Sequence, residues 1–241
     1  MNTGAIREMA AAQGPFASVY LPTDVERPAW SVVRRTLAAQ GPASELLEVL
    51  DDALTHGTTE GRALIAGQAG VLIDGPLAWS PHALVARVSD LPYLLPLVPK
   101  HAVRAPEASL VAVGRAPEDT VSDPATADRT LFDQFVFESA RPDGPVVQGL
   151  RLCTEALRDH NADALVLTEG ALADRTVWVG GAHRDHVGEK AADLRALGLP
   201  TNAQRADEAL PMAALAVGAE VLVATADLPL TDGVGVLLRH P

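Results

Sequence analysis

The chain has 241 residues, with 19 basic against 31 acidic side chains and a formal net charge of -12. That length suits two compact domains, and the acidity excludes a general nucleic-acid coat, which carries excess positive charge. Hydrophobic residues make up 48% and charged residues 21%, which excludes a disordered chain. No apolar run reaches the roughly 20 residues of a membrane helix, and the N-terminus has no basic stretch followed by an apolar one, so a cytosolic protein is expected. Cys153 is the only cysteine, so an intrachain disulfide and a zinc site built on several thiolates are both excluded.

The charge is unevenly spread. Residues 1–105 hold 8 basic and 10 acidic residues, and residues 106–241 hold 11 and 21. The first part is free to meet a polyanion locally, whereas the second suits a basic protein surface or bulk solvent. Only Lys100 and Lys190 are lysines, so nearly all the positive charge is Arg, which can pair phosphates bidentately or simply reflect an Ala-rich composition.

In chain order, residues 4–13 read as a short helix and Phe16–Tyr20 as a strand. Trp30, Val33 and Leu37 recur at helical spacing up to the break at Gly41-Pro42. Ser44 caps a second helix with the apolar set Leu46, Leu47, Leu50 and Leu54 and an acidic face of Glu45, Glu48, Asp51 and Asp52. Short strand-like runs follow at 62–67, 70–74, 83–88 and 91–98. Residues 109–114 read as another strand, the polar run after it as a linker or loop, and residues 131–140 as a short helix.

From Pro145 helices and strands alternate. Val146, Leu150, Cys153 and Leu157 mark one helix face; 162–168 and 176–181 read as strands and 188–198 as a helix. Asp207 is placed to cap a helix running to Val217, and 220–225 and 233–240 end the chain as strands. The expected fold is an α+β N-terminal domain followed by an α/β layered C-terminal domain with a mixed sheet. The division places 1–105 in the first domain, 106–144 in a linker or remnant, and 145–241 in the second.

Two stretches go beyond generic pattern: GPFASVYLPTD (14–24), with GRALIAGQAGVLID (61–74) and RVSDLPYLLPLV (87–98); and RADEALPMAALAVGAEVLVAT (205–225), followed by DGVGVLLRHP (232–241). They resemble the bacterial relatives of archaeo-eukaryotic release factor one and Pelota, within them the actinobacterial branch of Balon-type ribosome hibernation factors. The resemblance covers roughly residues 12–100 and 145–241, and implies that residues 106–144 are a reduced central domain. A releasing member places water with a Gly-Gly-Gln tripeptide. This chain has none: Gly180-Gly181 is followed by Ala182, and the Asn-Ile-Lys-Ser codon-reading signature is also absent. The resemblance therefore implies a stress-linked regulator of translation that occupies the vacant aminoacyl-tRNA site without peptide release. The implied partners are the 70S ribosome, through 16S rRNA at the decoding centre, 23S rRNA and ribosomal proteins, with elongation factor Tu as a further one. No DNA, membrane, cofactor or metal is expected. A peptidyl-tRNA hydrolase, or a protein-binding module that has lost the ribosome, are the alternatives.

Arg27, Trp30, Arg34 and Arg35 are the first candidate RNA contacts, Arg for phosphates and Trp for stacking on an unpaired base. Trp30 also shares the apolar stripe and fits a core position. Lys100, His101 and Arg104 form a second candidate cluster, or a hydrated linker. The HRDH run (183–186) has two imidazoles at a metal-binding spacing but too few ligands for a zinc site, and suits a solvated loop. Cys153 lies on an apolar stripe, as a buried structural thiol does. Gly233-x-Gly235 is half a dinucleotide fingerprint, but it opens a strand where that fingerprint opens a helix.

Overall fold

A computed structural model describes residues 9, 12–22, 30–41, 44–55, 61–77, 83–103, 124–181, 183–225 and 227–241. The helix expected over 4–13 falls mostly outside them, and the strand at 109–114 wholly so, as do Arg27 and Arg104. Among the described residues the fold is α+β, with three sheets. No described helix is long and apolar enough to cross a membrane.

The first sheet is antiparallel. It comprises β1 (Phe16–Leu21), β2 (Arg62–Gly67), β3 (Gly70–Pro76) and β4 (Val85–Ser89) in the order β3-β2-β1-β4. β1 is buried along its whole length, because side chains alternate across a strand and both faces are covered. Ala17, Val19 and Leu21 pack under α1 (Trp30–Ala38) and α2 (Ser44–Thr55), against Val33, Leu37, Leu46, Leu47 and Leu50. Phe16 and Tyr20 face the other way, into a core shared with Leu94 and Met212.

The stretch 91–98, expected as a strand, is instead irregular around a 3-10 turn at Leu95–Leu97. Pro92, Pro96 and Pro99 remove the N–H groups a ladder would need, yet Leu91, Leu94 and Val98 remain buried. The chain then enters β5 (Lys100–His101), which pairs with the second sheet.

That second sheet is mixed, in the order β5-β11-β7-β12-β6. Its strands β6 (Val146–Gln148), β7 (Ala162–Thr168), β11 (Glu220–Ala224) and β12 (Val234–Leu238) surround a centre in which β7 runs parallel to β11 and antiparallel to β12. β7 reads as a nearly continuous apolar run because it too is covered twice. Leu165 and Leu167 meet one core, and Ala164 and Val166 meet the core built on Phe132 and Phe135 of α3 (Pro124–Ser139).

α4 (Leu150–Arg158) starts later than the 146-150-153-157 spacing suggests. Gly149 sits at φ 88, so the chain turns sharply between β6 and α4 and Val146 belongs to the strand. The helix expected over 188–198 is shorter: β9 (Val187–Gly188) precedes α5 (Ala191–Arg195). β8 (Thr176–Val179), β9 and β10 (Asn202–Arg205) form a small antiparallel sheet, of which β10 has no strand signal in NAQR.

α6 (Ala206–Ala216) lies at the centre. Its residues from Ala206 to Ala214 are all buried. Ala209, Leu210 and Ala213 join the core of the second sheet, and Met212 joins Phe16 and Tyr20 of the first. A helix apolar on all sides needs cover on all sides, and α6 has it because it is packed between the two sheet systems. Asp207 is therefore no exposed cap: Arg205 occupies the N-cap position, and Asp207 sits buried in the first turn.

Candidate functional site

Five candidate RNA-contact residues of the described chain fall into two places. Trp30, Arg34 and Arg35 lie on α1, over the outer face of the first sheet; Lys100 and His101 lie on β5, at the edge of the second. The structure does not bring the two sets together into one element or one sheet.

On α1, Trp30 is half-buried and packs on the first core. Its Nε1–H donates to Asp51 of α2. The indole is thus fixed from both sides, which matches the core position open to it in the sequence more than a free stacking platform. Asp51 also receives Arg34, whose Nε donates to both carboxylate oxygens at 3.1 and 3.2 Å. Arg34 keeps 45% of its side chain exposed, so it can still meet a phosphate, but in competition with Asp51. Arg35 is exposed and has no ion pair among the described residues. Glu45, Glu48 and Asp52 of α2 are exposed as well. Among the described residues of α1, Arg35 and the outer edge of Arg34 offer a phosphate contact.

On β5, the Lys100 ammonium pairs with Glu169. His101 is only 7% exposed and stacks on Phe132, with ring centroids 5.1 Å apart. Burial holds its imidazole below the ordinary histidine range, so at neutral pH it is an uncharged core ring. His101 is thereby corrected from a candidate RNA contact to a packing residue. The apolar ring of Phe132, about thirty residues away in sequence, left no local signal of this.

The family-like segment 232–238 has a structural explanation. Asp232 adopts φ 54, and its carboxylate accepts from the Leu150 N–H at 3.3 Å. It thus caps α4 from a distant loop, since Gly149 at the N-cap has no side chain to do so. Asp232 also pairs with Arg175 at 3.2 Å. Gly233 adopts φ 74, and a Cβ there would stand 2.2 Å from Ala171 Cβ. At Gly235 a Cβ would meet Phe135 at 2.6 Å. These glycines allow close approach of β12 to its neighbours, and no dinucleotide loop is built here.

The other reactive groups are also structural. Cys153 is buried, and desolvation pushes its thiol well above the usual range, the opposite of an activated nucleophile. His183 and His186 lie in a loop with ring centroids 5.2 Å apart. His186 Nδ1 is 3.2 Å from the Gly180 carbonyl, and Asp185 pairs with His160 at 2.8 Å. No group of three His, Cys, Asp or Glu that could hold a metal ion occurs among the described residues.

The seam between the first sheet and the rest of the molecule holds a polar cluster that sequence reasoning missed. Arg87 of β4 donates to Asp207 at 3.0 Å, and Arg205 donates through Nε and Nη2 to the same carboxylate, each at 3.0 Å. The Arg87 guanidinium lies over the Tyr93 ring, 3.8 Å from its centroid. Around this cluster Gln204 donates to Asp90 at 2.9 Å, and Arg184 donates to the Ala12 carbonyl at 2.9 Å. The signal in the sequence was an Asp-Glu pair inside an otherwise apolar helix.

No family model matches the chain. It is similar to two uncharacterized Mycobacterium tuberculosis proteins, from strains CDC 1551 / Oshkosh and ATCC 25618 / H37Rv. Each is 27% identical over 367 aligned residues, covering 100% of this chain and 97% of the relative. The alignment is longer than this chain, so the relatives carry segments without a counterpart here. Among solved structures, Saccharomyces cerevisiae Dom34, described as a translation termination-like factor involved in RNA quality control pathways and interacting with Hbs1, overlaps 49% of this chain. The overlap takes in 31% of Dom34, at 16% identity and a TM-score of 0.29.

Proposed function

We propose that this protein is a ribosome-binding factor that occupies the vacant aminoacyl-tRNA site and blocks translation sterically, without releasing peptide. The observation that carries this is the segment 205–241. Its sequence resembles the C-terminal domain of the release factor one and Pelota relatives, and it builds α6, β11 and β12. The chain has no Gly-Gly-Gln tripeptide, which leaves it without the group that positions water for peptide release.

In this proposal residues 1–105 dock at the decoding centre and residues 145–241 face the elongation-factor side. Residues 106–144 are what remains of a central domain, in keeping with relatives that are longer than this chain. Arg34 and Arg35 supply phosphate contacts to 16S rRNA, and the acidic second part avoids non-specific RNA binding. Elongation factor Tu and the hibernating state belong to the same proposal and rest on the resemblance alone.

The experiment is sedimentation of the purified protein with vacant 70S ribosomes, with and without tRNA in the aminoacyl site, alongside release of labelled peptide from stalled complexes. Co-sedimentation that tRNA abolishes, with no release, supports the proposal. Peptide release lost on a point substitution would favour the hydrolase instead. No co-sedimentation at low salt would favour a protein-binding module.

A further inference from the structure

Glu208 is 0% exposed, one residue beyond Asp207 on α6. Asp207 takes the short carboxylate contacts of the two arginines, and Arg205 Nη2 also donates to the Ala173 carbonyl at 2.6 Å; Glu208 Oε1 stands 3.6 Å from Arg87 and 3.7 Å from Arg205, too far for a good hydrogen bond. Neither of its oxygens has a hydrogen-bond partner among the described residues. Ser89 lies beside it, but the Ser89 hydroxyl gives its proton to the Leu91 carbonyl at 2.6 Å. The one Ser89 proton can serve the Leu91 carbonyl or a charged Glu208, so a charged Glu208 gains that donor only by taking it from Leu91. The titratable groups facing Glu208 among the described residues are Arg87 from β4, Tyr93 from the segment after it, Arg205 from β10, and Asp207 on its own helix.

We propose that Arg87, Arg205, Asp207 and Glu208 form a proton-dependent clasp that fixes the first sheet on the rest of the molecule. With Glu208 neutral, both arginines stay on Asp207 and the seam is closed. When Glu208 ionises, two buried carboxylates compete for Arg87 and Arg205, which stand 3.6 and 3.7 Å from Glu208; drawing an arginine off Asp207 toward Glu208, or admitting water, loosens the seam. Burial, and then the neighbouring Asp207 charge, raise the Glu208 carboxyl above its ordinary range. The sign follows. The closed form holds the proton more tightly than the open one, so the clasp is complete below the ordinary Glu range. It weakens as pH rises through the raised value. Across that window the open-to-closed ratio rises about tenfold per pH unit. This device stands on the geometry of the seam and does not depend on ribosome binding.

The test uses the full chain carrying spin labels at Val71→Cys on β3 and Leu197→Cys after α5, positions 40% and 60% exposed. Cys153 is buried and stays unlabelled. Inter-label distances are measured at a series of pH values from about 4, below the ordinary Glu range, to about 8.5. The wild-type background is expected to give a narrow distribution at the lowest pH and a broader or longer one at the highest. Glu208→Gln, and the apolar Glu208→Met, are expected to stay narrow throughout. An unchanged wild-type distribution overturns the clasp whether or not the variants fold. Equal broadening in the Glu208 variants and the wild type overturns the assignment to Glu208.

Discussion

Gly233→Ala is expected to destabilise the protein far more than Gly198→Ala, although the two glycines have almost the same backbone. Gly233 has φ 74 and Gly198 has φ 73. An L-residue in that left-handed region costs about 1–2 kcal/mol at either site. The surroundings differ. A Cβ at Gly198 meets nothing within 4 Å, whereas one at Gly233 stands 2.2 Å from Ala171 Cβ. Ala171 has no flexible side chain to swing away, so the backbone of the 170–174 turn or of β12 must move. Overpacking of this kind adds about 1–3 kcal/mol. At about 2–4 °C per kcal/mol for a chain of this size, Gly233→Ala should melt about 2–12 °C below Gly198→Ala. Thermal unfolding followed by circular dichroism measures this. Adding Ala171→Gly to Gly233→Ala should return the melting point to that of Gly198→Ala. Equal melting of the two single variants, or no rescue, would refute the close approach of β12 to that turn.

Arg35→Glu should weaken ribosome binding about 10- to 150-fold, from the loss of one charge-assisted contact worth roughly 1.5–3 kcal/mol. Arg34→Glu should do less, because Asp51 already holds Arg34, and Arg195→Glu should do least; pelleting at two salt concentrations ranks them. Asp74→Asn should flatten the acid limb of the stability profile. The Arg62 guanidinium, held by hydrogen bonds at 2.7 Å, lowers the Asp74 carboxyl below its usual range. The wild type therefore keeps that contribution above the ordinary Asp range and loses it as pH falls through the lowered value, while the variant has none to lose. Trp30→Phe keeps the ring but removes the N–H donated to Asp51, and should cost about 1 kcal/mol in urea unfolding. Cys153 should react with a thiol reagent only at the rate of unfolding.

Strands whose apolar alternation or run is bounded by Gly or Pro were legible in the sequence: 62–67 and 162–168 stand where their patterns place them, and the strand expected at 16–20 runs one residue further, to Leu21. The misreadings share a cause. Residues 91–98 are apolar enough for a strand, but their burial comes from packing in the seam and not from a ladder. β10 is polar because its strand hydrogen bonds run to β8 while Gln204 reaches across to Asp90. Of the candidate site, exposed Arg35 was legible from its place off the apolar stripe of α1. His101 was not, since its stacking on Phe132 is a long-range contact. The buried Asp207 reads from the sequence as a helix cap, because acidic residues favour helix starts. Only the partners Arg87 and Arg205, brought in by the packing of two sheets on α6, give it a different role.

The most direct measurement is sedimentation of the wild-type protein with vacant 70S ribosomes while aminoacyl-site tRNA is titrated in. Occupancy of that site predicts that the protein pellets with vacant ribosomes and is displaced in proportion to bound tRNA. Binding unaffected by tRNA, or no binding to vacant ribosomes at low salt, would contradict it.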